Sequence, residues 1–158
     1  MPSQTADPMN IRAEIAIKML MNAHSTAVMT RMGRVVGNTM SNVRAGNLKL
    51  IGRATYLIKM HVDDVVKRGW KKLGLSSPDP TSNNLSLRYE EANAVLFDTL
   101  DYLTSFEERT QESPVPISII RVIESLRHNK FVEVSEADMV YAEWGLERYL
   151  YNWIGSSE

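Results

Sequence analysis

Four cations, Lys67, Arg68, Lys71 and Lys72, stand around Trp70 in the six-residue segment KRGWKK. Lysine and arginine at this density hold phosphates by charge, and an indole beside them offers a face on which a base can stack. Arg31, Arg34, Arg44, Lys49 and Arg53 lie in the same half of the chain, some near glycines where backbone N–H groups are open. Part of this charge is consumed locally, since Asp63 with Lys67 and Asp64 with Arg68 have the i,i+4 order that stabilises exposed helices. The rest makes these nine side chains a candidate surface for nucleic acid or another polyanion.

A second set is aromatic. Tyr141, Trp144, Arg148 and Tyr151 fall at i, i+3, i+7 and i+10, beside the apolar stripe of the last helix. Tyrosine, tryptophan and arginine are enriched at protein interfaces, so this set is the candidate partner-binding surface.

A third set is acidic: Glu90, Glu91, Asp98, Asp101, Glu107 and Glu108 on one helix. Glu91 and Asp98 share a face at i,i+7, as do Glu90, Asp101 and Glu108. Helical carboxylates can hold Mg²⁺ between two helices. In this respect the stretch resembles the all-α nucleotide pyrophosphatases, which hold magnesium with paired acidic motifs. The resemblance implies, as an alternative function, a Mg-dependent hydrolase built on residues 86–110. That family also uses an upstream Glu-x-x-Glu pair, where residues 1–85 offer Asp7, Glu14, Asp63, Asp64 and Asp79.

His24, His61 and His128 are too dispersed to suggest a metal site, and the chain has no cysteine to supply a thiolate ligand or nucleophile. No phosphate-binding glycine loop, nucleophile elbow or His-Glu-x-x-His pattern occurs. No catalytic residue, metal ligand or cofactor is assigned on these grounds.

The elements that must position these groups read as helices. Residues 1–75 carry twelve basic against four acidic residues, a balance of +8, while residues 76–158 balance at −9. Such asymmetry suits a polyanion partner or packing of one half on the other. Asp7-Pro8 is a good helix start, and the stretch to about Met32 is apolar on more than one side, which predicts a helix buried on more than one side. Gly33 to Gly52 reads as turns or close approach. Leu48 to Leu73 has one clear apolar face, residues 76–84 form a linker, and a helix runs from about Ser86 to Thr110. A shorter helix follows from Ile117 to about Asn129. Phe131 to Val134 reads as an extended bridge, and Ser135 caps a last helix that continues to Trp153.

The expectation is an all-α, single-domain array of about five helices over residues 1–158, with a basic half 1–75, a linker 76–84 and an acidic half 85–158. No apolar run is long enough to span a bilayer, and no secretory signal is visible at residues 1–10. Function is expected to be non-enzymatic: a helical binding or assembly protein, a homo-oligomer or complex subunit, in the cytoplasm or within an assembled particle. Its basic half would meet nucleic acid or another polyanion, and its aromatic helix a protein.

Overall fold

Eleven consecutive residues, Pro114 to Glu124, are buried, and the other helices are arranged so that this one segment is enclosed. In the computed structural model, residues 9–75 and 86–155 are described. Asp7-Pro8 and the linker 76–84 lie outside the described residues. The described residues form an all-α array, with six α-helices, 71% helical content and one two-stranded hairpin. The helices are α1 (Ile11–Arg31), α2 (Leu48–Gly69), α3 (Tyr89–Thr104), α4 (Pro114–His128), α5 (Val134–Trp144) and α6 (Leu146–Ile154). Strands β1 (Val35–Val36) and β2 (Thr39–Met40) pair antiparallel between α1 and α2.

Local chemistry fixes most boundaries. The Asn47 side chain accepts from Leu50 N–H at 2.9 Å and caps α2. Ser113 caps α4 and Pro114 fills its first position, where a missing N–H costs nothing. The proline pair therefore opens this helix earlier than Ile117. Asn129, left-handed at φ 47, closes it. The helix before it ends at Thr104 rather than Thr110, and a short 3₁₀ turn at Glu107–Arg109 follows.

Two further boundaries differ from the sequence reading. The extended stretch before α5 ends one residue earlier than expected, since the helix starts at Val134 with Glu133, extended at φ −68, ψ 153, at its N-cap. Its Asp138 is spent on a bidentate pair with Arg109, at 2.5 and 2.9 Å, rather than on a capping box. The last helix is two helices, because Gly145 breaks it at φ 66, ψ 161, a conformation open essentially to glycine alone. The hairpin was not expected either. Gly37 at φ 58 with a two-residue loop supplies the positive first turn angle that strand pairing at so short a connection needs.

Leu57, Ile58, Leu96, Leu103, Ile117, Ile120 and Leu150 belong to one core cluster drawn from α2, α3, α4 and α6. Ala137 joins it from α5. Helix α1 does not. None of its residues is buried, and Ile15, Ile17, Met19, Leu20 and Met21 are more than half exposed. The expectation of a helix buried on more than one side is therefore corrected. The other five helices close the core among themselves, and among the described residues α1 packs against β1 of the hairpin. Ile120→Ala should accordingly cost about 2–5 kcal/mol of unfolding free energy, whereas Ile17→Ala should stay within about 0.5 kcal/mol. Chemical denaturation of the two variants measures the difference.

Candidate functional site

A cleft of about 750 Å³ opens where the hairpin turn faces the exposed side of α2 and the end of α6. Helical spacing puts Tyr56, Lys59, Met60, Asp63, Asp64, Lys67 and Arg68 along its floor, one turn after another. Gly37, Asn38 and Thr39 form one wall, and Leu150 and Ile154 another. A buried histidine, His61, sits at the junction.

The cations of this floor differ in how they are engaged. Lys59 Nζ donates to Asp63 Oδ2 at 2.9 Å, to Ser86 Oγ at 2.6 Å and to the Leu87 carbonyl at 2.5 Å. Asp63 also accepts from Leu87 N–H at 2.9 Å, so this pair pins the approach to α3. Arg68 Nε lies 2.8 Å from Asp64 Oδ1 on the helix surface. Lys67 is exposed and has no ion pair among the described residues. The i,i+4 pairing of Asp63 with Lys67 does not form, because Lys59, the Ser86 hydroxyl and the Leu87 N–H hold that carboxylate.

Thr39 and His61 meet at 3.4 Å between Oγ1 and Nε2. The Thr39 hydroxyl donates to the Val36 carbonyl at 3.0 Å, so it receives from His61 as an acceptor, which places the imidazole proton on Nε2. Burial holds His61 below its ordinary pKa, and the Asp64 carboxylate opposes that shift. The ring is therefore neutral near pH 7, with Nδ1 as its basic nitrogen.

A second cavity, about 530 Å³, lies on the α4–α5–α6 side and is lined by Glu124, Arg127, Trp144, Tyr149 and Trp153. Lys72 also reaches it, where Nζ donates to the Asn152 carbonyl at 2.8 Å.

The nine cations singled out in the sequence are not gathered into one surface. Lys67 and Arg68 line the α2 cleft, and Lys72 lines the other cavity. Lys71 sits 5.5 Å from the Trp70 ring centroid. Arg31 is exposed at the end of α1, Arg44 is exposed in the loop before α2, and Lys49 and Arg53 are exposed on its first turns. Arg34 is half-buried, and its carbonyl receives both the N–H and the hydroxyl of Ser41. The aromatic set divides as well. Trp144 faces the second cavity with the Arg148 guanidinium 5.1 Å from its ring centroid. Tyr151 is exposed, and Tyr141 is half-buried against the core. Sequence reasoning missed Tyr56, His61 and Thr39. The first two follow the same α2 periodicity that exposed Lys67, whereas Thr39 could be found only with the hairpin in place.

The acidic helix does not assemble a metal site. Among the described residues no three His, Asp or Glu side chains converge on a point where an ion could sit. Glu91 is taken by Arg88, and Asp98 lies 2.5 Å from Arg121 Nη1. With Glu91 and Asp98 each beside an arginine and no such group among the described residues, the hydrolase alternative has no support.

Known proteins give a different direction. No family model matches the chain, and no solved structure does. Segments of it are similar to curated enzymes named N-acetylmuramic acid 6-phosphate etherase. The similarity is 37% identity over 62 residues with that of Porphyromonas gingivalis, covering 39% of this chain and 23% of the relative. With that of Synechococcus sp. strain CC9902 it is 36% over 83 residues, covering 52% and 25%. With N-acetylmuramic acid 6-phosphate etherase 2 of Bacillus licheniformis it is 48% over 48 residues, covering 30% and 16%. The matches thus span a quarter or less of the relatives' length. They nevertheless overturn the expectation of a non-enzymatic binding or assembly protein, and with it nucleic-acid contact and self-association as the function. The charge split that motivated that reading reports only that cations are present, not which anion they meet. As to membranes, among the described residues no helix is long and apolar enough to cross one.

A depressed histidine pKa has a measurable consequence for stability. The unfolded chain binds a proton at His61 more readily than the folded one. The stability this neutral ring contributes is thus fully present above about pH 6.5 and is lost as the pH falls through the folded-state value. Urea midpoints recorded from pH 7.5 down to 5 should decline, and His61→Gln should flatten that decline. Asp138, held low chiefly by its hydrogen bond with Arg109, titrates below this window and leaves it undisturbed.

Proposed function

We propose that this chain acts in cleaving the ether bond of a phosphorylated amino sugar, and that the cleft between the hairpin and α2 receives the phosphate. The observation that carries the reading is the 36–48% identity to enzymes named for N-acetylmuramic acid 6-phosphate. The chemistry of the cleft supports it. A sugar phosphate is a compact dianion, which needs cations at the rim and neutral donors within. Exposed Lys67 offers a cation without a competing carboxylate of its own, and Arg68 offers a second beside it. The volume suits one monosaccharide with its substituents.

Cleaving an ether requires a proton for the departing oxygen and a group to take one up elsewhere. Neutral His61 is the candidate proton acceptor in this cleft, positioned by its contact with Thr39. Tyr56, 58% exposed, presents its hydroxyl at the same floor. About three quarters of the relatives' length has no counterpart in the matched segments of this chain.

Incubating the purified chain with N-acetylmuramic acid 6-phosphate tests the proposal, with proton and phosphorus resonances following the lactyl ether and the phosphate. Saturable phosphorus shifts and release of the lactyl group are expected. Lys67→Glu should weaken binding by about tenfold or more while leaving stability within about 0.5 kcal/mol, since the side chain is exposed. A chain that neither shifts the phosphate signal nor cleaves the ether would overturn the reading.

A further inference from the structure

Leu87, Val95, Val122 and Leu126 line a third cavity, of about 390 Å³, between α3 and the second half of α4. Arg121 lines it as well, although that residue is 2% exposed. A guanidinium carries five N–H donors. Nε spends one on the Val132 carbonyl at 2.8 Å. Nη1 lies 2.5 Å from Asp98 Oδ2, but the approach is too bent for a hydrogen bond, and this nitrogen is buried without an acceptor. Nη2 has no hydrogen-bond partner among the described residues either. The Phe131 ring, its centroid 4.5 Å from Cζ, stacks on the group and offers it no lone pair. Buried donors are ordinarily paired, so a guanidinium that makes one hydrogen bond in five calls for an acceptor that these neighbours do not provide.

The rest of the lining says what would carry that acceptor. Lys130 stands exposed at the edge with no ion pair among the described residues, and no carboxylate is among the described lining residues. The Ser125 hydroxyl is spent on backbone, donating to the Arg121 carbonyl at 2.7 Å and accepting from Val132 N–H at 3.1 Å. Four aliphatic walls suit a hydrocarbon chain and would leave the hydroxyls of a sugar unpaired. A planar carboxylate matches the guanidinium fork, and its single charge is less costly to bring against apolar walls than a phosphate dianion.

We propose that this cavity binds an aliphatic monocarboxylate of medium chain length. Its tail lies against Leu87, Val95, Val122 and Leu126, and its carboxylate is served by Arg121 and Lys130. The site shares no described lining residue with the α2 cleft and does not rest on the etherase reading.

The test titrates octanoate, butanoate and uncharged octan-1-ol into the whole chain. Methyl resonances of Val95, Val122 and Leu126 and the Arg121 Nε–H resonance report the site. Octanoate should shift them saturably, and octan-1-ol should bind severalfold more weakly. Butanoate should lose about fourfold in affinity for each missing CH₂. Lys130→Gln, at an exposed position, should weaken octanoate by roughly two- to fivefold and leave octan-1-ol unchanged. Arg121→Met, which replaces the buried charge with an apolar chain, should abolish the preference for octanoate over octan-1-ol. Should that variant fail to fold, Lys130→Gln keeps the test open. Lys67→Glu, in the α2 cleft, should leave every shift as it was. The proposal is overturned if octanoate moves none of these signals saturably, or if octan-1-ol or butanoate binds as tightly as octanoate. Loss of the shifts in Lys67→Glu, or an undiminished octanoate affinity in Lys130→Gln, would overturn it as well.

Discussion

Burying one helix on every side is the constraint from which this structure follows. From Pro114 to Glu124 the chain of α4 is enclosed, yet Ser118, Arg121 and Glu124 are polar. A buried polar group costs free energy unless it finds a partner, and an unpaired buried charge costs most. Each of the three is therefore answered by a different element. Ser118 Oγ donates to Thr99 Oγ1 on α3 at 3.0 Å. Arg121 Nε donates to the Val132 carbonyl at 2.8 Å, Nη1 reaches Asp98, and the guanidinium lies 4.5 Å from the Phe131 ring centroid. Glu124 receives Tyr149 from α6. These polar contacts fix α3, the 129–133 loop and α6 around α4, in places where apolar packing alone would tolerate sliding.

Two cavities are by-products of that enclosure. Gly145 turns the chain between α5 and α6, so that α6 folds back along α2 and α4 instead of extending α5. One side of α6, through Leu150 and Ile154, then closes the cleft beneath the hairpin. Its other side, through Tyr149 and Trp153, walls the cavity above Glu124. Residues three or four apart on a helix share a face, so one nine-residue helix can serve two cavities only if its faces are divided in this way. The long stripe of α2 does the complementary work. Its apolar side, with Ala54, Leu57, Ile58, Val62 and Val65, enters the core, and its polar side carries Lys59, Asp63 and Lys67 to the cleft.

Helix α1 stands apart from this arrangement. It is apolar on more than one side, with Ile15, Ile17, Met19, Leu20 and Met21 all more than half exposed, and such helices are ordinarily enclosed. Here the five remaining helices satisfy one another without it. Periodicity can say that a helix asks for burial; it cannot say whether any surface within the same chain supplies it.

The sequence by itself determined the helical class and the register of α2, because these depend on neighbours three or four residues away. It also determined that cations crowd the first half and carboxylates the second. Their meaning was decided only in three dimensions. Of the nine cations, Lys67 and Arg68 line one cavity, Lys72 lines another and Lys71 lies beside the Trp70 ring, a division that no charge count shows. The candidate proton acceptor, His61, was one of three dispersed histidines until a two-residue turn brought Thr39 against it. The Gly145 break places Trp144 around one cavity with Glu124 and Trp153, which lie 20 and 9 residues away in the chain. Local rules act within a helical turn, whereas a site is assembled from contacts whose separation in sequence no periodicity encodes.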